Sequence, residues 1–507
     1  MSRYARHWSV LIAVLLIASF LFAFPTSYLQ AATAKIAGAD ALTVAQLKAA
    51  YTEAAAGGEK VRILVVPGHE PMYGGAQYAG YYERELVIPL SEKLATELRS
   101  DPNIEVILAR DASGWNPTLE RYFKRNLSSI KRFVETHQKE FRKLLRRGRV
   151  DENEAQAGHN RAPADVAYRL YGITKWANEN DVDLMIHVHL NDAGGRANDA
   201  PGAYTGLAIY VPYEEFGNAE ASKAIADKVF DHLTDIAAKS TLPIEDQGVV
   251  EDQELIALGS NNTSIAPSLL VEYGYIYEPK FIDENVRNIV FSDYAYQTAK
   301  GVREFFGASA GGAHSTRVLP YTWTADIASS TASSIPAYAL QHALKEEGYY
   351  PPRPSSLINC PIDGRMGSCV TDALKAYQTA KGITPSGRLD AATRNALNAK
   401  YSAGSFIPEP TTIASVAAPA ARCAPFTTTL KLNSTDAATK GQVSRLQKIL
   451  AQDTTIYPEG RVTGFFGPAT DKAVKAFQVK QGIAKPGSAG YGLVGPATGK
   501  ALIAVCT

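Results

Sequence analysis

Val61-Arg62-Ile63-Leu64-Val65-Val66-Pro67-Gly68-His69 is an apolar run that ends in a tight turn and a histidine. Rich in β-branched residues, with Arg62 as its one polar member, the run reads as a strand buried on both faces. Such a strand belongs to a mainly parallel sheet, which needs helices on both sides. The residues downstream supply them. Leu86 to Leu98 places apolar side chains on one helical face, Ile104 to Leu108 reads as a second strand, and the helix Tyr168 to Asn180 leads into the strand Leu184 to Leu190. Gly206 to Val211 and Ser268 to Tyr273 read as further strands, Ala219 to Ala238 and Val286 to Phe305 as helices. The alternation predicts an α/β domain over 35–308, built on a mainly parallel twisted sheet with helices on both faces. In such folds ligands collect where strands end and loops begin, which is where Pro67-Gly68-His69 stands.

Three other segments stand at comparable places. Tyr82-Glu83-Arg84-Glu85 opens the next helix, Ile186-His187-Val188-His189 closes one strand, and Leu270-Val271-Glu272-Tyr273-Gly274 closes another. Catalytic zinc takes three ligands from His and carboxylate and leaves a position for water. His69, Glu83 and His189 offer that set, and Glu272 remains to move a proton. His187 lies two residues before His189 and so shares its face in a strand; either could be the ligand, the other standing behind it as an orienting group. His159 is a more distant imidazole, and Glu85 would face another way along the helix. Singly, each has an ordinary explanation: a hydrogen-bonding strand-end histidine, a first-turn helix acid favoured by the dipole, a paired core acid. The coincidence of four at strand ends of one domain points to a zinc hydrolase.

The remainder of the 507 residues is organised around that domain. Residues 1–34 read as a signal peptide or N-terminal anchor: Arg3 and Arg6, an apolar run from Val10 to Phe24, and a small-x-small site at Ala32-Thr33-Ala34. An extracytoplasmic protein, secreted or tethered to the membrane through that segment alone, follows from it. Four cysteines fit an oxidising compartment. Cys360 and Cys369 bracket one short loop and Cys423 and Cys506 a longer stretch, with three connectivities open. The net charge of +1 carries no bias toward nucleic acid. The basic stretch Lys131 to Arg149 reads as a solvated helix face rather than a contact for an anionic polymer. It lies in a helical insertion, 112–165, which could cover the cleft and answer to a regulatory protein.

Residues 309–333 and 402–422 read as linkers, and the pieces after them, 334–401 and 423–507, are alike. Ala373-Leu374-Lys375-Ala376-Tyr377-Gln378 recurs as Ala473-Val474-Lys475-Ala476-Phe477-Gln478, with Gly382-Ile383 and Gly482-Ile483 following. This is a duplicated small three-helix unit.

The catalytic part resembles the zinc-dependent N-acetylmuramoyl-L-alanine amidases of the type-3 amidase family. The family's Pro-Gly-His matches Pro67-Gly68-His69, and its helix-opening Glu matches Glu83. Its Ile-x-Ile-His-Ala-Asn strand matches Ile186 to Asn191, its Val-Glu-x-Gly-Phe matches Val271 to Tyr275, and its Thr-Arg-Asp matches Ala109-Arg110-Asp111. The resemblance implies His69, Glu83 and His189 as zinc ligands and Glu272 as the catalytic carboxylate. It implies cleavage of the amide between N-acetylmuramic acid and L-alanine in peptidoglycan. Val66, Glu70-Pro71 and His187 depart from the family's residues and would crowd the metal with polar groups. The two C-terminal units resemble three-helix peptidoglycan-binding modules, most closely over Gly464 to Gln478. The alternatives are a zinc amidohydrolase or carboxypeptidase acting on another peptidoglycan amide, or a wall-binding protein that has lost activity.

Overall fold

A computed structural model of the chain describes residues 41–151, 162–308, 316–327, 332–402 and 425–505, apart from 440, 454, 458–463 and 489. The segment read as a signal or anchor, His159, Cys423 and Cys506 lie outside the described residues. No helix among the described residues is long and apolar enough to cross a membrane. The chain forms two compact units, Met1–Phe406 and Ile407–Thr507.

The first unit is built on six strands: β1 (Val61–Pro67), β2 (Ile104–Leu108), β3 (Leu184–Asn191), β4 (Ala208–Pro212), β5 (Val249–Asp252) and β6 (Ser268–Tyr275). Their order is β2-β1-β3-β6-β4-β5, and every pair is parallel except β6 with β4. Strand period two divides β1 between two cores. Val61, Ile63 and Val65 enter a core shared with α1 (Val44–Ala55), α2 (Glu83–Arg99), α5 (Ala219–Thr234) and α6 (Glu284–Phe306), while Leu64 and Val66 enter a second. The second core is closed by α3 (Pro117–Arg146) and α4 (Ala164–Glu179). The expected insertion is therefore mostly one 30-residue helix, and its Leu119, Phe123, Ile130, Val134 and Phe141 are buried. Lifting α3 as a cover would expose those five side chains, so it is part of the fold.

After α6 come α7 (Ile335–Glu346), α8 (Ser368–Ala380) and α9 (Ala391–Tyr401), with a Cys360–Cys369 disulfide before and within α8. This module shares one hydrophobic core with the sheet domain. The stretch read as a linker is packed where it is described. Val318, Leu319 and Trp323 are buried, Trp323 Nε1 donates to Pro336 O at 2.9 Å, and Arg317 grips Glu97 of α2 through Nε and Nη2 at 2.8 and 2.6 Å. Its flanks have linker composition, but Val318-Leu319-Pro320-Tyr321-Thr322-Trp323 does not.

At this junction Asp293 of α6 lies 3.4 Å from His342 of α7, and both are fully buried. Burial pushes the Asp293 carboxyl up to about 7, against the backbone N–H of Arg317 and the Tyr338 hydroxyl. Burial likewise drives His342 down to about 3. Between those values both groups are neutral, so their contact is not an ion pair. Because its folded-state pKa is raised, the stability contributed by Asp293 is full below its unfolded pKa and lost as pH rises through about 7. His342 has the opposite sign: its contribution is present above the unfolded value and lost as pH falls through about 3. Asp293→Asn, which copies the protonated carboxyl, should leave the melting temperature of the full chain unchanged at about pH 4 and raise it by several degrees at about pH 8. A lower melting temperature at the higher pH would show that the junction needs the anion.

The second unit carries α10 (Gln442–Leu450), α11 (Pro468–Lys480) and α12 (Pro496–Ala504) around Leu446, Phe466, Val474, Phe477 and Leu502. The duplicated sequence has a structural cause. Gln378 and Gln478 each accept from a glycine N–H, that of Gly387 or Gly492, at 2.8 Å, and donate to the hydroxyl of Thr393 or Thr498 at 2.8 and 3.0 Å. One helix earlier Gln341 and Gln447 accept in the same way from Gly364 and Gly464 N–H, at 2.7 and 2.9 Å. Each glutamine satisfies a buried turn that no helix or strand ladder reaches.

Candidate active site

The site is assembled at the C-terminal ends of β1, β3 and β6. His69 follows the Pro67-Gly68 turn with φ 67°, in the left-handed region. A Cβ on Gly68 would stand 2.5 Å from Cε1 of His189, so glycine is what lets that ring rest on the turn. Arg110, 2 % exposed at the end of β2, fixes the turn from behind. Its Nε donates to Pro67 O at 3.1 Å, and its Nη2 to Gly68 O and to Arg84 O, the latter at 3.0 Å. Burial lowers its pKa to about 10, with Glu70 and Glu83 opposing, so the guanidinium stays charged.

Glu83 begins α2 and is held by backbone donors. Ala76 N–H donates to Oε2 at 2.9 Å and Leu190 N–H to Oε1 at 3.1 Å. His189 Nδ1 lies 3.0 Å from Oε1, and His69 Nε2 lies 2.7 Å from Oε2. Burial raises the Glu83 pKa, but the two histidines outweigh it and hold the carboxylate well below its usual range. One ligand atom from each of His69, Glu83 and His189 falls within 4.8 Å of the others. His69 Nε2 is buried and makes no hydrogen bond despite its nearness to the carboxylate. A nitrogen, oxygen and nitrogen donor set converging at one point suits a divalent cation of zinc's preferences.

Glu272 lies beside His189 in the β6–β3 register. It is 4 % exposed, and its Oε2 is buried without a hydrogen-bond partner. Burial, then the charges of Glu83, Glu245 and Asp192, push its pKa well above the usual carboxylate range. His187, set opposite Val66 and Leu270, stands outside the His69–Glu83–His189 cluster on the floor of the same cleft. Burial, then His189, lowers it to about 3, so it is a neutral imidazole with Nε2 unpartnered. Glu85 points outward near Arg84.

His69, Glu83, His187, His189 and Glu272 line a cleft of about 480 Å³ whose walls include Trp115, Ala162, Pro163 and Asp192. The expected polar crowding resolves differently. Glu70 is claimed by Arg169 Nε at 2.7 Å and Trp115 Nε1 at 3.3 Å, and Val66 is buried in the second core. His187 alone of the three departures adds an unpartnered polar group to the cleft. Two features went unread in the sequence. Gly74 and Gly75, both at φ 86°, close over the site: a Cβ on Gly75 would lie 2.9 Å from His69 Cδ2 and 3.2 Å from Glu83 Cβ. The Gly-Gly pair itself was the available signal. Glu245, fully buried, accepts from Asn191 Nδ2 at 2.7 Å and from the Tyr210 and Tyr275 hydroxyls at 2.6 and 3.1 Å. It ends the 3₁₀ turn Pro243–Glu245, with no pattern around it to mark it.

Residues 63–304 match the profile of the family described as N-acetylmuramoyl-L-alanine amidase, and 336–397 and 439–502 each match a putative peptidoglycan binding domain. Among curated proteins no sequence match is found. Solved structures similar to this chain include an N-acetylmuramoyl-L-alanine amidase from Clostridium difficile 630, 18% identical, covering 49% of this chain and 95% of its own with a TM-score of 0.29. Ami1, an N-acetylmuramyl-L-alanine amidase from Mycobacterium smegmatis, is 15% identical, covering 49% of this chain and 98% of its own at a TM-score of 0.33. AmiC2 of Nostoc punctiforme is 16% identical, covering 49% and 99% at 0.29.

Proposed function

Because residues 63–304 form a domain of the N-acetylmuramoyl-L-alanine amidase family and two peptidoglycan-binding modules follow it, we propose that His69, Glu83 and His189 hold Zn2+ and that Glu272 is the catalytic acid and base. The observation that carries this reading is the convergence of three donor atoms within 4.8 Å beside a buried carboxyl whose Oε2 has no partner. The bound ion would supply a Lewis acid for the scissile carbonyl and lower the pKa of water to about 7. Glu272 would take the proton of the attacking water at Oε2 and deliver it to the leaving amine of L-alanine. Its burial beside Glu83 and Glu245 favours holding that proton between the two transfers. Glu83 is oriented by Ala76 and Leu190 N–H, so its carboxylate is set before any ligand arrives. His187, neutral on the cleft floor, would contact the substrate or orient His189 rather than bind the ion.

The modules place this chemistry on its polymer, and the polymer places it outside the cytoplasm. Digestion of purified peptidoglycan followed by mass spectrometry should show free muramic lactyl ends and new N-terminal L-alanine, lost in chelator and restored by Zn2+. Other new ends would assign a different amide, and no product in the presence of Zn2+ would leave an inactive wall-binding protein.

A further inference from the structure

The buried side of α3 is accounted for by the second core and, at Phe141, by a small cluster with Val150, Phe216 and Ala219, but its opposite side is not. Over 117–149 eleven lysines and arginines stand against three glutamates, a net charge of +8 in a chain whose total is +1. The charge is ordered as well as dense. Arg121, Arg125, Arg132, Lys139, Arg142 and Arg146 recur at helical spacings of three, four and seven, all exposed, on the side opposite Phe123, Ile130, Val134 and Phe141. None of the six makes an ion pair among the described residues; Lys124 and Lys143, on the same helix, are already paired with Glu120 and Glu140. Glu135 is the one acid within the stripe. At about 1.5 Å per residue the stripe runs roughly 37 Å along a straight helix.

Its placement supplies the direction. Trp115, two residues before α3, lines the catalytic cleft and donates to Glu70, and Asn116 caps the helix through Thr118 N–H at 2.9 Å. The stripe therefore starts close to the cleft wall. We propose that this face of α3 is a binding surface for the carboxylate-bearing stem peptides of polymeric peptidoglycan, in addition to the two modules. The proposal rests on the reading of the chain as a wall hydrolase and names the part of the polymer that touches it. The occupant is set by charge and by continuity with the cleft. The polymer being cut carries free carboxylates at every uncrosslinked peptide terminus, and the stripe begins six residues beyond Trp115 of the cleft wall. No apolar side chain is needed for the contact, because the apolar face of α3 is already buried; binding is electrostatic and screened by salt.

The test uses the full chain carrying Arg125→Gln, Arg132→Gln, Arg142→Gln and Arg146→Gln together. All four positions are exposed and opposite the core face, so the melting temperature should not change. Exposed charge contacts are individually weak, and four together should lower affinity for insoluble peptidoglycan at low salt about tenfold. The parent's binding should weaken as salt rises, while the variant's should be nearly flat. Turnover of a small soluble muramyl-peptide, too short to reach the stripe, should be equal in both proteins. That last measurement separates the proposals: its absence in both proteins would fail the catalytic reading, whereas its presence with unchanged polymer binding and unchanged salt dependence would overturn the stripe. Loss of binding to vesicles of anionic phospholipid, with peptidoglycan binding intact, would also overturn it and assign the face to a membrane.

Discussion

Glu272→Gln should lower the rate of peptidoglycan hydrolysis by about a hundredfold to ten-thousandfold, the range over which a positioned proton carrier acts. Zinc content should not change, because Glu272 lies beside the His69–Glu83–His189 cluster without being part of it. Stability should not fall either. The folded-state pKa of Glu272 is raised by burial and by Glu83, Glu245 and Asp192, so its stability contribution is lost as pH rises. An amide of the same shape escapes that loss. In chelator at about pH 7 the variant should therefore melt at the parent's temperature or above it. Inactivity together with intact folding and zinc content separates a chemical role from a packing role. Hydrolysis within about tenfold of the parent would move the proton transfer to another group. His187 is the next imidazole on the cleft floor.

The residues of the candidate site were legible because His69, His189 and Glu272 stand at or just beyond the ends of strands with an unambiguous apolar pattern, and Glu83 opens a helix. Pro67-Gly68-His69, His189 and Glu272 follow runs that bury on both faces, and the parallel topology carries those ends to one edge. What sequence left open was the choice between His187 and His189, which share a face. The structure brings His189, not His187, to Glu83, whose carboxylate reaches Leu190 N–H and His189 Nδ1 because of how α2 approaches β3. No local pattern encodes an approach. The same limit hid β5. Val249 and Val250 are followed by Glu251-Asp252, and an edge strand that pairs on one side needs too little apolar surface to announce itself. Glu245 was hidden for another reason, since its partners Asn191, Tyr210 and Tyr275 come from three strands. The duplicated modules, by contrast, were plain in sequence, because the glutamine that closes each turn has to recur with it.

A chain ended at Ala308 should fail to fold as a stable catalytic domain, whereas one ended at Ser402 should melt at the temperature of the full chain's first unit and turn over soluble fragments normally. The sheet domain and the first module share one core, so their boundary is not a surface. Removing 309–402 uncovers Val286 of α6, against which a Cβ on Gly364 would stand at 2.8 Å. It also strips Tyr338 and His342 from Asp293 and takes Arg317 from Glu97. Each large apolar side chain returned to water costs about 1.5–3 kcal/mol. A few of them approach the 5–15 kcal/mol typical of a whole domain. Circular dichroism melts and gel filtration of the two truncated chains would decide. An unchanged melting temperature for the shorter one would show that the shared core is dispensable. The consequence is geometric: a module held by a common core keeps one fixed orientation relative to the sheet domain, without the loop-closure entropy a flexible tether would cost.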